Sequence, residues 1–248
     1  MITLKHITKT YGKGEGAAHA LQDVSLQIQE GEMVAIMGAS GSGKTTLLNM
    51  LGCMDQFDSG EYYYGDIEVH KLTKEKLHEF RKQHVGFVFQ QFALMNQYTV
   101  YENVELPLCI KNVPNKERKK LVREALEQMG IGNLSRKMPT KISGGQQQRC
   151  AIARAVIHEP KLLFADEPTG ALNRKNTTEV LNLLTELNQN GQSILMVTHD
   201  TRAALHATRI LYLEDGNVIG ELTLPPYKPE EEKSRETQVN AWLTSMEW

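Results

Sequence analysis

The chain has 248 residues, enough for one large α/β domain or two small ones, and a formal net charge of −2 at pH 7. A charge so close to zero provides no general attraction to nucleic acid or to an anionic membrane. The three cysteines, Cys53, Cys109 and Cys150, lack CxxC or metal-ligand spacing. This pattern argues against a disulfide framework and is typical of a reducing, cytosolic environment.

The sequence contains no segment that predicts a membrane anchor. Its first residues, MITLKHITKTYG, alternate apolar and polar side chains like a strand and lack the apolar core of a signal peptide. No apolar run approaches the ~20 residues that a helix needs to span a bilayer. We therefore expect that, if the protein works at a membrane, a partner supplies the spanning part.

The sequence predicts a set of strands in the N-terminal region. Alternation over residues 2–8 and 24–28 predicts two half-buried antiparallel strands, with Tyr11 in the Gly-rich loop YGKGEG between them. Residues 33–37, MVAIM, form a continuous apolar run, which is typical of a fully buried strand.

The stretch GASGSGKT, residues 38–45, follows this run and precedes a predicted helix, which is the setting of a Walker A phosphate loop. Its glycines let successive backbone N–H groups point at phosphate oxygens, and the positive end of the helix adds to that field. We expect Lys44 to reach the β- and γ-phosphates and the Thr45 hydroxyl to bind Mg²⁺. A Gly/Ser-rich surface turn with a solvated lysine is the alternative, but it does not explain the spacing. The predicted nucleotide-binding residues of the loop are Gly38, Ala39, Ser40, Gly41, Ser42, Gly43, Lys44, Thr45 and Thr46.

The middle of the chain changes character. Residues 61–69, EYYYGDIEV, predict another strand pair, and residues 85–89 a short apolar strand. From about residue 91 to 149 helical periods dominate, including the segment KERKKLVREALEQMG, for which Asn115 is the predicted N-cap. We interpret this region as a helical insert between two halves of an α/β domain.

The β/α pattern then returns with two strands that end in chemically active residues. Residues 161–165 predict a strand ending in Asp166-Glu167, at the carboxyl end where open α/β sheets bind ligands. Asp166 fits a role in holding Mg²⁺ through its water shell, and Glu167 could polarise an attacking water. Plain solvated charge at a strand end is the alternative. Residues 193–198 predict the next strand, which ends at His199.

The segment KISGGQQQRCAIARA predicts a Gly-Gly turn at the start of a helix, with Ser143 as its cap. Its hydroxyl and free N–H groups form a second anion site. One γ-phosphate cannot occupy both this site and the Walker A loop of the same chain if they lie on different subdomains. The sequence therefore predicts a dimer in which each ISGGQ closes over the nucleotide of the other chain.

Together these motifs resemble the nucleotide-binding subunits of ABC transporters over nearly the whole chain. ISGGQ is similar to the family's signature motif, with Ile142 where leucine is usual. The resemblance implies an α/β fold in which a P-loop NTPase core carries an antiparallel β-subdomain and a helical subdomain insert at about residues 91–149. The ATPase domain would span residues 1–228, followed by a tail of residues 229–248 with a short amphipathic helix.

The same resemblance assigns roles and cofactors. It implies ATP and Mg²⁺, with Tyr11 stacking on adenine, Gln90 as the Q-loop glutamine, Glu167 as the catalytic base and His199 as the switch histidine. The implied catalytic residues are Lys44, Gln90, Glu167 and His199, and the implied metal-binding residues are Thr45, Gln90 and Asp166. The residues implied to contact the partner chain's nucleotide are Ser143, Gly144, Gly145 and Gln146.

Within the family, the TGAL run, the segment FQQFALMNQYTVYENVELPL and the closing AWLTSMEW resemble the macrolide-exporter and lipoprotein-release (MacB/LolD-like) branch. This implies a homodimer on a separate permease with few membrane helices, peripheral at the cytoplasmic face of a bacterial membrane, that exports or extracts a peptide, macrolide or lipidic substrate. One departure is Asn173, where the family's D-loop usually has aspartate. Asparagine keeps the size and hydrogen bonding but loses the charge.

Three alternatives stay open at this stage. The complex could transmit force or sense peptides without moving a substrate, because that difference lies in the partner. A soluble ABC ATPase acting on DNA or ribosomes would need a coiled-coil insertion or a second ATPase domain, and the chain has neither of these and no basic stripe. The apolar residues Phe92, Leu94 and Met95 could either dock the permease or pack between the subdomains.

Two interpretations of the C-terminal tail also stay open. Val239, Trp242, Leu243 and Met246 recur at helical spacing, which predicts a short amphipathic helix over residues 234–248. Such a helix is marginal by itself and needs a surface to pack on. That surface is either the chain's own ATPase domain or a partner or membrane.

Overall fold

The computed structural model describes residues 1–248, apart from the side chain of Glu15. The strands are β1 (Ile2–Tyr11), β2 (Ala18–Ile28), β3 (Met33–Met37), β4 (Ser59–Tyr64), β5 (Ile67–Glu68), β6 (Val85–Val88), β7 (Leu162–Asp166), β8 (Ser193–Val197), β9 (Arg209–Glu214) and β10 (Asn217–Thr223). The α-helices are α1 (Lys44–Leu51), α2 (Lys74–His84), α3 (Val100–Ile110), α4 (Asn115–Gln128), α5 (Gly144–Val156), α6 (Arg174–Gln189), α7 (Thr201–Ala204) and α8 (Glu232–Ser245).

The strands form two sheets, one mostly parallel and one antiparallel. The six-stranded sheet has the order β10-β9-β3-β8-β7-β6, and the four-stranded sheet has the order β2-β1-β4-β5. In the larger sheet β3 runs parallel to β8 and β9, and β7 runs parallel to β6 and β8. The carboxyl ends of β3, β6, β7 and β8 therefore lie at one edge, which is where ligands bind in sheets of this kind.

The central strands β3 and β8 of the larger sheet are buried on both faces, as their continuous apolar sequences predict. Every residue of β3 and of β8 is buried. Met33, Ala35 and Met37 belong to one apolar cluster, whereas Val34 and Ile36 belong to the other. Because successive side chains of a strand point to opposite faces, the sheet carries one core on each side.

The first strand is longer than its sequence pattern predicts. Alternation predicts a strand over residues 2–8, but β1 continues to Tyr11, which pairs with Ala18 of β2. Tyr11 thus lies at the end of a strand rather than in the Gly-rich loop. Register shifts within the β1–β2 pair interrupt the alternation, which is why the pattern ended early.

The predicted helical region is present and packs through α3, α4 and α5. Val104, Val122 and Cys150 from these three helices are completely buried in one core. The prediction that Asn115 caps α4 is wrong, because Asn115 is the first helical residue. The Pro114 carbonyl accepts the first helical hydrogen bonds, from the N–H groups of residues 117 and 118, and no side chain caps this end.

The tail helix α8 packs on the rest of the same chain, which is the first of the two alternatives for this segment. Val239 and Leu243 are 0% and 3% exposed and belong to the same core as α3 and α5. Arg235 is buried and donates hydrogen bonds to the carbonyl oxygens of Leu205, Ala207 and Pro225. Among the described residues, no helix has the length and apolar character needed to cross a membrane.

Candidate active site

The phosphate loop joins β3 to α1 at the edge of the larger sheet where the carboxyl ends of β3, β6, β7 and β8 lie. Gly38 and Gly43 have φ angles of 145° and 100°, which side-chain-bearing residues rarely adopt. A Cβ on Gly38 would lie 2.0 Å from the carbonyl oxygen of Leu213, and one on Gly43 would lie 2.2 Å from that of Ala20. Conformation and space therefore both require glycine at these two positions.

Lys44 is the first residue of α1, and its side chain folds back over the loop. Its Nζ donates hydrogen bonds to the carbonyl oxygens of Gly38 (2.8 Å) and Ala39 (2.6 Å). Burial lowers the pKa of this ammonium, and the nearby carboxylates of Glu167 and Asp166 partly oppose that shift. The cation is thus held inside the loop by neutral carbonyl groups, which phosphate oxygens could replace with stronger charge-assisted contacts.

Thr45 and Asp166 meet beside the loop although they are far apart in the sequence. The Thr45 hydroxyl donates to Oδ1 of Asp166 at 3.3 Å. Burial raises the pKa of the Asp166 carboxyl above its ordinary value, and the hydrogen bond from Thr45 offsets only part of that rise. A hydroxyl and a carboxylate oxygen at this spacing fit the oxygen ligands that Mg²⁺ prefers.

Glu167 lies at the end of β7, with its carboxylate held from two sides. Nε2 of Gln90 donates to Oε2 at 2.7 Å, and Nδ1 of His199 lies 3.0 Å from Oε1. A Cβ on Gly170 would lie 2.8 Å from Nε2 of Gln90, so the absence of a side chain there leaves room for this contact. Three predicted catalytic residues from β6, β7 and β8 are therefore brought together.

The signature segment begins α5, as predicted. The Ser143 hydroxyl accepts from the N–H of Gln146 at 3.4 Å, and the Gln146 side chain accepts from the N–H of Ser143 at 2.9 Å. This capping box leaves the N–H groups of Gly144 and Gly145 at the positive end of the helix.

The signature helix is anchored to the loop that follows Glu167. The fully buried Gln148 donates from Nε2 to the Pro168 carbonyl oxygen at 2.7 Å. A Cβ on Gly145 would lie 2.5 Å from Cγ of Asn176, so α5 and α6 come close only because this residue is glycine. The nearest neighbours of Gly144 are Leu172 and Phe92, not the phosphate loop. This places the two predicted anion sites of the chain in different surroundings.

Asn173, the departure in the D-loop, has a clear local role. Its Oδ1 accepts from the N–H of Asn176 at 3.0 Å and so caps α6. Asparagine and aspartate are equally good N-caps, so the substitution keeps this end of the helix intact.

Tyr11 is 43% exposed at the end of β1, and two residues that the sequence did not single out hold it. Its hydroxyl donates to Oδ2 of Asp55 at 2.5 Å, and Nζ of Lys9 lies 4.9 Å from the ring centroid. Another missed residue is Arg154 of α5, which donates to the carbonyl oxygens of Phe92 (3.1 Å) and Ala93 (2.6 Å). None of these residues has a spacing pattern that marks it, because each acts on a segment distant in sequence.

The loop and the converging side chains define a P-loop nucleotide hydrolase. The model of the ABC transporter family matches residues 21–170. The chain belongs to the ABC transporter family and has the ABC ATPase fold, as an ATP-hydrolysing subunit, which confirms the expectation from the sequence motifs.

Individual relatives place the chain within that family. It is 46% identical over 223 residues to the uncharacterized ABC transporter ATP-binding protein MJ0796 of Methanocaldococcus jannaschii, covering 88% of this chain and 95% of that protein. It is 42% identical over 221 residues to the macrolide export ATP-binding/permease protein MacB of Sodalis glossinidius, covering 89% of this chain. The chain spans about a third of the length of that MacB, 34%.

A solved structure is similar over nearly the whole fold. It is the dimeric structure of a post-hydrolysis state of the ATP-binding cassette MJ0796 bound to ADP and Pi. The TM-score is 0.84 at 44% identity, and the match covers 92% of this chain and all of that one. These relatives confirm the predicted similarity to the MacB-like branch.

Proposed function

We propose that this chain binds ATP and Mg²⁺ and powers a transporter through ATP-driven dimerisation on a separate membrane permease, at the cytoplasmic face of a bacterial membrane. The observation that carries the proposal is the position of Glu167, whose carboxylate lies between Gln90 and His199 and follows directly on Asp166 at the phosphate loop. A base, a switch histidine and a metal-facing carboxylate at one sheet edge are the parts that phosphoryl transfer to water requires.

Each residue has a task in this proposal. Lys44 exchanges its loop carbonyls for phosphate oxygens, and Thr45, Asp166 and Gln90 hold the metal ion. When bound, Mg²⁺ supplies positive charge that offsets the charge developing on the phosphate oxygens. The Glu167 carboxylate accepts a proton from the attacking water, and His199 keeps that carboxylate in place.

The second anion site supports action as a homodimer. Ser143 and Gln146 cap the N-terminus of α5. A Cβ on Gly144 or Gly145 would lie nearest to Leu172, Phe92 or Asn176 and not to a residue of the phosphate loop of the same chain. The solved MJ0796 cassette is dimeric. In the proposed dimer each signature helix binds the nucleotide held by the other chain's phosphate loop.

A groove of about 580 Å³ beside the Gln90 segment is the proposed docking site of the permease. Its exposed apolar side chains include Ile110 (59% exposed) and Met95 (42% exposed). Leu94 instead packs against the core. We therefore assign core packing to Leu94 and propose permease docking for Met95. Arg81 and Lys82 line the same groove, which suits an amphipathic helix with an apolar face and acidic neighbours.

One MacB relative is described as a macrolide export protein, which supports a macrolide substrate, and the resemblance of the sequence to the wider branch extends the proposal to a peptide or lipidic substrate. In that relative the matched region is about a third of a longer ATP-binding/permease chain, 34% of its length. Here the permease would be a separate partner. A complex that transmits force or senses peptides would use the same ATPase site and differ only in that partner.

The groove can be tested by co-expressing this chain with a candidate permease and measuring co-purification. Ile110→Glu places a charge in the groove and is expected to abolish co-purification and the ATPase stimulation by the permease. Ile67→Glu, at an exposed apolar position on β5 (37% exposed), is the matched control and should leave both unchanged. Retention of the permease by Ile110→Glu would reject docking at this groove.

A further inference from the structure

The structure contains a network around Tyr11 that links the end of β1 to the turn after the phosphate-loop helix. Asp55 lies four residues beyond the end of α1, and its carboxylate accepts from the Tyr11 hydroxyl at 2.5 Å. The same carboxylate accepts from the N–H of Gln56 at 2.7 Å. A side chain anchored to its own turn in this way offers a fixed acceptor rather than a mobile one.

Lys9 completes the network by contacting one face of the Tyr11 ring. Its side chain is 11% exposed, and its Nζ lies 4.9 Å from the Tyr11 ring centroid and 3.4 Å from Oδ1 of Asp55. The Lys9 ammonium also donates to the Gln56 carbonyl oxygen. The ring face that Lys9 contacts is thus turned toward the protein, while 43% of Tyr11 stays accessible. A cation over one face and a carboxylate on the hydroxyl together restrict the ring to one orientation.

We propose that Asp55, with Lys9, is a positioning residue for nucleotide binding, which holds the Tyr11 ring at a set distance from the phosphate loop so that base and phosphates are bound together. The proposal rests on the proposed ATP-binding function and on the adenine-stacking role that the family resemblance implies for Tyr11. Asp55 touches no nucleotide and acts only through the ring.

The reason is geometric. A nucleotide of fixed length must reach its base platform and its phosphate site at once, and a platform that is already oriented avoids the entropy loss of ordering it on binding. Helix α1 starts in the phosphate loop at Lys44 and leads directly to the Asp55 turn. The N–H groups of Met54 and Asp55 donate to the Asn49 carbonyl oxygen at 2.7 and 3.3 Å, which fixes that turn to the helix. The path from phosphate site to ring therefore runs through rigid, hydrogen-bonded backbone.

The test compares two ligands on the full chain, ADP and inorganic tripolyphosphate, by calorimetric titration. Asp55→Ala and Tyr11→Phe each remove the tether from one side, and each should weaken ADP binding about fivefold, the order of the entropy cost of ordering one side chain on binding. Tripolyphosphate, which has no base, should bind both variants as it binds the unaltered protein. Because Asp55 touches no nucleotide, kcat of Asp55→Ala at saturating ATP should also stay unchanged while KM rises.

Two further variants make the result specific. Asp55→Ala combined with Tyr11→Phe should be no weaker than either single variant, because both remove the same hydrogen bond. Asp55→Asn keeps an acceptor without the charge and should recover part of the loss. The matched control is Glu61→Gln, because Glu61 accepts from the Tyr63 hydroxyl at 3.0 Å and lies 3.8 Å from Lys5 in the same sheet. It should bind ADP normally.

The outcomes separate this proposal from the one it rests on. If Tyr11→Ala binds ADP like the unaltered protein, the stacking role itself fails. If Tyr11→Ala weakens ADP binding but Asp55→Ala and Tyr11→Phe do not, only the positioning role is overturned. Equal losses for ADP and tripolyphosphate would also overturn it, since Asp55 would then act on the phosphate site.

Discussion

Replacing Arg235 by alanine should destabilise the whole ATPase domain, although the residue lies in the C-terminal tail. Arg235 is 4% exposed, and its guanidinium donates to three carbonyl oxygens, those of Leu205, Ala207 and Pro225. Two of them follow α7, the short helix that begins just after His199. The tail thereby packs against the end of the segment that begins at His199.

The expected loss in the free energy of unfolding follows from these contacts. A buried acceptor left without a partner costs roughly 1–3 kcal/mol, and water entering the space left by the guanidinium offsets part of the sum. We therefore expect a loss of about 3 kcal/mol in the free energy of unfolding. For a chain of this size 1 kcal/mol corresponds to roughly 2–4 °C, so Tm should fall by about 6–12 °C.

Thermal unfolding followed by circular dichroism measures this loss. Lys233→Ala changes an exposed residue of the same helix and is the matched control, with an expected Tm change within about 2 °C. Deleting residues 229–248 should lower Tm at least as much as Arg235→Ala, because it also removes the buried Val239 and Leu243. An unchanged Tm for Arg235→Ala would refute the argument that the tail stabilises the domain.

Three further predictions concern catalysis and pH. Glu167→Gln should bind ATP, lose at least about 100-fold of its steady-state hydrolysis, and elute as a dimer with ATP; a monomer at high protein concentration contradicts this. Lys44→Ala and Ser143→Arg should each be inactive alone but regain activity when mixed, because one composite site then keeps both features; no recovery argues against contact in trans. Burial lowers the pKa of His206 to about 4 from 6.5. Its neutral form is therefore favoured in the fold, and its contribution, up to about 3 kcal/mol, is complete above pH 6.5 and lost as pH falls through 4. His206→Gln should flatten urea-measured stability between pH 7 and 4, whereas an unchanged slope would contradict that role.

The sequence by itself determined the features that depend on interactions between residues close together in the chain. The phosphate loop could be identified because its closely spaced glycines and Lys44 act within a few residues of one another. The strands over residues 33–37, 161–165 and 193–198 were correct to within one residue, since burial on both faces demands a continuous apolar run. The role of Ser143 as the cap of α5 was also predicted correctly, because a cap and the N–H group that it binds are three residues apart.

Tertiary structure decided which of these parts meet. Gln90 and His199 lie 77 and 32 residues from Glu167 in sequence, and they contact its carboxylate only because β6, β7 and β8 are adjacent in the sheet. The Asp55 tether on Tyr11 and the Arg235 contacts beyond α7 likewise carry no periodic signal. Spacing along a chain reports neighbours along a helix or strand. Contacts between separate elements depend on how those elements pack, and that packing placed Glu167, His199 and the tail.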